Sequence, residues 1–168
     1  MVSKLCILDR DGVLNVDTGY VHKSDSVQWI EGSREAIAFL NKLGITVIVV
    51  TNQSGVARSY FTENDVAKLH HWMQNEVEKF GGKIDRFYYC PHLPGATEKK
   101  YDIICECRKP KSGMIIQALA DYQVNPAEAF VIGDSQRDIE AGERVGVKGY
   151  LFHGGNLLEF VRMIVSCS

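Results

Sequence analysis

The sequence predicts an α/β fold in three layers, a mainly parallel central sheet with helices on both faces. Three observations predict it. Short apolar runs alternate along the chain with segments of helix length. The run 45–50, Ile-Thr-Val-Ile-Val-Val, is β-branched and almost wholly apolar, as a strand buried on both faces must be. Residues able to do chemistry directly follow the apolar runs, and in parallel sheets ligands bind beyond the carboxyl ends of the strands.

The elements follow in order. Residues 4–8 read as the first strand. Ser33 reads as the N-cap of a helix over 33–43, and Gly44 as its stop. The second strand is 45–50. Thr62 with Asp65 is a helix start signal, and Gly81-Gly82 ends that helix near residue 80. Strands are expected over 86–89, 129–132 and 147–152, with helices over 113–122, 137–145 and 157–165. Alternation of this kind implies right-handed crossovers.

The chain has 168 residues, which suits one domain with one sizeable core. Hydrophobic residues make up 45% and charged residues 24%, the balance of an ordinary globular protein. The formal charge of −2 offers no basic field for nucleic acid and no basic run for an anionic membrane. No apolar stretch is long enough to span a bilayer, and the start of the chain lacks a signal-peptide layout, so the expected compartment is the cytoplasm. A monomer is the default expectation.

Three residues at strand ends carry the chemistry. Asp9 follows the first strand in Asp9-Arg10-Asp11-Gly12-Val13, Thr51 the second in Thr51-Asn52-Gln53-Ser54-Gly55, and Asp134 the fourth in Gly133-Asp134-Ser135-Gln136-Arg137-Asp138. All three fall on one edge of the sheet, so two carboxylates and a hydroxyl surround one point. A carboxylate can attack phosphorus. Mg²⁺ takes one or two carboxylates plus phosphate and water, and it offsets the repulsion between anionic nucleophile and anionic substrate. Lys109 is the candidate to hold the phosphate.

Five cysteines are present, and Cys90, Cys105 and Cys107 crowd together. With His92 they supply three thiolates and one imidazole, enough for a closed tetrahedral zinc site. All four positions come from protein, so the role is structural. Cys6 is expected in the core.

These motifs resemble those of the haloacid dehalogenase-like phosphatases. Asp9-Arg10-Asp11-Gly12-Val13 is similar to their first motif, Thr51 to the second, Lys109 to the third, and Gly133-Asp134 with Asp138 to the fourth. The resemblance spans nearly the whole chain. It implies that Asp9 is the nucleophile and that Asp11 protonates the leaving alcohol and then activates water. It implies that Thr51 and Lys109 hold the transferring phosphoryl group, and that Asp9, the Asp11 carbonyl and Asp134 bind Mg²⁺. Asp138 is left open between metal support and a helix residue pairing with Arg137 or Arg144.

The Cys-x-His…Cys-x-Cys-Arg-Lys-Pro arrangement is similar to the zinc loop of two subgroups, the heptose bisphosphate phosphatases and the histidinol phosphatases. Asp17-Thr18-Gly19-Tyr20-Val21-His22 and Thr51–Arg58 lean to the heptose subgroup, whereas Cys90-Pro91-His92-Leu93-Pro94 is close to the histidinol version. The lean implies hydrolysis of the C7 phosphate of a heptose 1,7-bisphosphate, for a cell-surface polysaccharide. It implies that Asp17, Thr18, Gly19, Tyr20, Thr51, Asn52, Gln53, Ser54, Arg108, Lys109 and Ser135 hold that substrate. Arg108 suits a distal phosphate, since a guanidinium fork binds phosphate with two hydrogen bonds. Histidinol phosphate is the competing substrate. A zinc-stabilised binding module without catalysis is the competing class, and retention of Asp9, Asp11 and Asp134 speaks against it.

Overall fold

The computed structural model describes residues 2–167. The main elements are β1 (Lys4–Leu8), α1 (Ser33–Lys42), β2 (Ile45–Asn52), α2 (Glu63–Glu78), β3 (Arg86–Cys90), α3 (Gly113–Tyr122), β4 (Ala129–Gly133), α4 (Gln136–Glu143), β5 (Lys148–Leu151) and α5 (Leu157–Ser166). Single 3₁₀ turns lie at Ser24–Ser26, Lys99–Tyr101 and Pro126–Glu128. Every strand pairing is parallel, in the spatial order β3-β2-β1-β4-β5.

Strand alternation builds a core on each face of the sheet. In β1, Cys6 and Leu8 turn to one face while Leu5 and Ile7 turn to the other. In β2, Val47 and Val49 join the first pair and Ile48 and Val50 the second. The first face packs on α1, α2 and α5 through Ile37, Leu40, Met73, Val77 and Val161. The second packs on α3 and α4 through Met114, Ile115, Ala118 and Ala141. Burial on both faces explains why β2 carries no charged residue in its eight positions.

Two helix starts differ in kind. At α2, Thr62 accepts from Asp65 N, and Asp65 accepts from Thr62 N, a reciprocal box that satisfies two orphan donors. At α1 the expectation is corrected. Gly32 is the N-cap, at φ 74°, and Ser33 is the first helical residue, buried, with no partner for its Oγ among the described residues. A Cβ at residue 32 would come 2.2 Å from Asn156 Oδ1, and the backbone there is left-handed, so the position admits only glycine.

Between β1 and β4 the order of connection reverses. The chain winds outward from β1 through β2 to β3, then returns to lay β4 on the other side of β1. That reversal opens a crevice at the carboxyl ends of β1 and β4, the place where such sheets take ligands. Among the described residues, no helix is long and apolar enough to cross a membrane.

Candidate active site

The crevice holds the residues that the strand ends predict. Asp9 leaves β1, Asp134 leaves β4, and Thr51 is the penultimate residue of β2 rather than the one just after it. Lys109 reaches between them from the loop before α3. Its Nζ donates to Asp9 Oδ1 at 2.9 Å and to the Val50 carbonyl at 2.8 Å, and it pairs with Asp138 Oδ1 at 2.6 Å. An ammonium has three N–H groups, and each has a partner.

The electrostatics follow from that packing. Burial pushes the Asp9 carboxyl up to about 7, against the pull of Lys109, and the charges of Asp138 and Asp134 push the same way as burial. Burial alone would push Lys109 down, but the two facing carboxylates win and raise it, so it stays a cation. Asp134 is raised, first by partial burial.

Asp138 pairs with neither Arg137 nor Arg144. It is buried, it pairs with Lys109, and its Oδ2 accepts from Ser135 N as the far half of a capping box at α4. Its place is fixed by close approach: a Cβ on Gly133 would lie 2.2 Å from Asp138 Cβ. Gly12 does the same for Asp134, since a Cβ there would lie 2.0 Å from Asp134 Oδ2, and its φ is +92°.

Asp11 faces a set of donors. Arg10 Nη2 donates to its Oδ1 at 3.0 Å, Asn15 Nδ2 to the same oxygen at 3.0 Å, and Gln53 Nε2 to Oδ2 at 3.1 Å. Gln53 Nε2 also donates to Thr51 Oγ1 at 3.0 Å. Thr51 Oγ1 in turn donates to the Asn52 carbonyl at 3.4 Å, a long bond that an incoming phosphoryl oxygen can replace.

An open cleft of about 370 Å³ lies above this floor. Asp9, Asp11, Asp17, Gly19, Tyr20, Thr51, Asn52, Gln53, Ser54, Arg108, Lys109 and Asp134 line it, as do Gly55, Arg58 and Arg137. Thr18 and Ser135 do not. Thr18 is exposed, and Ser135 spends its Oγ accepting from Arg137 N as the N-cap of α4. Asn52 lines the cleft, but its amide is engaged with the Lys109 peptide, accepting from Lys109 N at 3.0 Å and donating to Lys109 O at 3.2 Å. Arg58, Arg108 and Arg137 pair with no carboxylate among the described residues. Arg58 instead lies over the Tyr20 ring at 5.7 Å.

Three oxygen donors, from Asp9, Asp134 and Asp138, lie within 4.8 Å of one another. Carboxylates are the ligands a hard dication takes. Asp138 has both oxygens engaged, Oδ1 with Lys109 and Oδ2 with Ser135 N, whereas Asp9 gives Lys109 only Oδ1, so Asp9 and Asp134 are the pair better able to hold Mg²⁺.

A second cluster stands beside the cleft. Cys90, His92, Cys105 and Cys107 bring their donor atoms within 4.8 Å of one another. Cys90 Sγ lies 3.5 Å from Cys105 Sγ and 3.0 Å from Cys107 Sγ, and His92 Nδ1 lies 3.3 Å from Cys107 Sγ. A tetrahedral zinc with Zn–S of about 2.3 Å sets sulfurs roughly 3.8 Å apart, so a modest opening of the cluster accommodates the ion. Arg108 and Lys109 directly follow the last thiol, so this loop aims two cations into the cleft.

Comparison with known proteins agrees with the geometry. A family model described as HAD-hydrolase-like matches residues 106–158. The D-glycero-beta-D-manno-heptose-1,7-bisphosphate 7-phosphatase of Haemophilus ducreyi is 45% identical over 149 residues, covering 88% of this chain and 81% of that one. Its counterpart in Rhodopseudomonas palustris is 42% identical, covering 94% and 88%. The D,D-heptose 1,7-bisphosphate phosphatase of B. bronchiseptica, crystallised with magnesium and phosphate, superposes with a TM-score of 0.85 at 32% identity, covering 98% of this chain and 99% of that one. With these likenesses over nearly its whole length, and the cleft at the β1–β4 switch point, the chain belongs to the heptose-1,7-bisphosphate 7-phosphatase family of haloacid dehalogenase-like hydrolases.

Proposed function

We propose that this chain hydrolyses the C7 phosphate of D-glycero-β-D-manno-heptose 1,7-bisphosphate in heptose precursor synthesis. One observation carries the reading: Asp9, Asp11, Thr51, Lys109 and Asp134 line a single cleft that three arginines without acidic partners also enter. The five supply the parts of a phosphoryl transfer, and the arginines supply charge for a second phosphate on the same substrate.

Asp9 attacks phosphorus, the bond to the C7 oxygen breaks, and an aspartyl-phosphate forms. Asp11 gives its proton to the departing oxygen. In the second half Asp11 takes a proton from water, water oxygen bonds to phosphorus, and the bond to Asp9 breaks. Lys109 and the Thr51 hydroxyl hold the phosphoryl oxygens and offset their charge. Mg²⁺, held by Asp9, Asp134 and the Asp11 carbonyl, would stabilise the charge that develops in transfer. The Cys90, His92, Cys105 and Cys107 set would hold a structural zinc. Arg108 grips the distal phosphate, with Arg58 and Arg137 adding charge.

Phosphate release from the heptose bisphosphate, with Mg²⁺, is the test. The expected result is turnover that far exceeds turnover of histidinol phosphate and that falls at least about a thousandfold in Asp9→Asn. Equal turnover of both substrates would refute the substrate, and full activity in Asp9→Asn would refute the mechanism.

A further inference from the structure

Arg10 is among the largest fully buried side chains of the protein, 1% exposed, and it stands between the two functional aspartates. A buried guanidinium carries a heavy desolvation cost unless each donor is matched. Here nearly all are. Nε and Nη2 reach the Asp11 carboxylate at 3.3 and 3.0 Å, and Nη2 also donates to the Val21 carbonyl at 2.7 Å. Nη1 meets His70 Nε2 at 3.2 Å.

Arginine has no acceptor, so the last contact fixes the histidine: Nε2 accepts and Nδ1 bears the hydrogen. His70 sits on α2, buried, outside the cleft, stacked on Phe87 at 4.2 Å and 13°. A rigid neutral acceptor therefore backs the guanidinium from the side away from substrate. Val21 is the buried end of the segment that brings Asp17, Gly19 and Tyr20 to the cleft.

We propose that Arg10 and His70 form a positioning unit for Asp11. The unit holds the carboxylate against the leaving-group oxygen and ties the 17–20 segment to it, so that His70 governs proton delivery without touching substrate. The inference rests on the reading of Asp11 as general acid and base. It concerns one half-reaction, because only the departure of a poor leaving group needs a proton from Asp11.

The experiment uses the full chain loaded with Zn²⁺ and Mg²⁺ and compares kcat/KM for two esters, the heptose bisphosphate and p-nitrophenyl phosphate. The alkoxide of the sugar needs the proton, whereas nitrophenolate leaves without it. His70→Phe keeps a stacked ring and removes the acceptor. It is expected to lower kcat/KM about tenfold or more on the sugar ester and less than about twofold on the aryl ester. His70→Gln, which restores an acceptor, is expected to recover most of the loss. Equal losses on both esters, or no recovery in His70→Gln, would overturn the proposal in favour of a purely structural role. If His70→Phe does not fold, the same ratio is read on Arg10→Lys, which keeps the charge and loses the fork. A loss confined to the sugar ester then supports the positioning unit, and equal losses on both esters overturn it. Wild-type protein that turns over the aryl ester and not the heptose bisphosphate would instead mark failure of the substrate reading, and the ratio would then be taken on whichever alkyl phosphate it accepts.

Discussion

At residue 12 the site depends on an absent side chain. Asp134 Oδ2 occupies the space where a Cβ would stand, 2.0 Å from its ideal position, and the backbone there is left-handed. Gly12→Ala must therefore push the Asp134 carboxylate away from Asp9 and also strain the turn by about 1–2 kcal/mol. The expected outcome is at least a tenfold rise in the Mg²⁺ concentration needed for half-maximal activity, measured by metal titration, with the zinc content unchanged. Asp9, Thr51 and Asp134 were legible in the sequence because each is tethered to a strand end, and strand ends share one edge; Lys109, in the loop before α3, was legible from its motif beside Cys107. Arg10 and His70 were not, and Asp138 was named with its role open, since these roles come from burial, and a sequence shows a charged residue without showing what surrounds it. Ser135 is the opposite case. It stands next to Asp134, yet its hydroxyl serves the helix start. Proximity in sequence to a functional acid is a weak guide when the intervening residue begins a new element.

At the scale of elements, the Cys/His loop is tied to the sheet by one carboxylate. Glu63, at the start of α2, accepts from Tyr89 Oη on β3 at 2.7 Å and from Tyr101 Oη in the loop at 2.6 Å. Those two bonds, Tyr101 first, hold Glu63 below the ordinary carboxylate range. Around Tyr101 the loop closes on itself, with Leu93 N donating to Tyr101 O and Gly95 N donating to Asp102 Oδ1 at 2.6 Å. Glu63→Ala frees the loop from α2 and leaves two hydroxyls without an acceptor. Tyr89 and Tyr101 are only partly buried, so the cost is expected near ~1 kcal/mol rather than at the upper end of the range. The clearer readout is zinc release to a chelator, expected several times faster in Glu63→Ala; an unchanged rate would mean the loop is held by its own bonds alone. The spacing of Cys90, His92, Cys105 and Cys107 predicted from sequence the cluster that the structure brings together, but this tether joins residues 26 and 38 positions apart and leaves no local pattern. The helix starts divide in the same way. Thr62 with Asp65 is a local signal and forms as read, whereas the cap of α1 is Gly32, at a left-handed position where Asn156, far along the chain, leaves no room for a side chain.

For the whole molecule, two buried groups set opposing dependences of stability on pH. Burial, with the nearby Arg10 charge, pushes His70 from 6.5 down to about 3. Its folded value is depressed, so between pH 6.5 and 3 the unfolded chain binds a proton that the native state refuses, and stability falls as pH falls. Burial pushes Asp9 from 3.8 up to about 7, beyond what Lys109 offsets. Its folded value is raised, so between pH 7 and 4 the native state binds the extra proton, and stability rises as pH falls. Each contributes up to about 1.4 kcal/mol per pH unit, with opposite sign, so in Mg²⁺-free protein the two nearly cancel between pH 6.5 and 4.5. Asp9→Asn removes one of them. Any zinc held by the Cys/His cluster would be lost on acidification alike in both proteins, so the difference between them is the informative quantity. Relative to wild type, the Asp9→Asn variant is expected to lose about 2–3 kcal/mol as pH falls from 6.5 to 4.5, read by chemical denaturation without Mg²⁺ at three or four pH values. A difference that stays constant over this window would mean that Lys109 holds Asp9 ionised in the resting protein. With saturating Mg²⁺ the same difference should flatten, because a metal on Asp9 competes with the proton that burial favours.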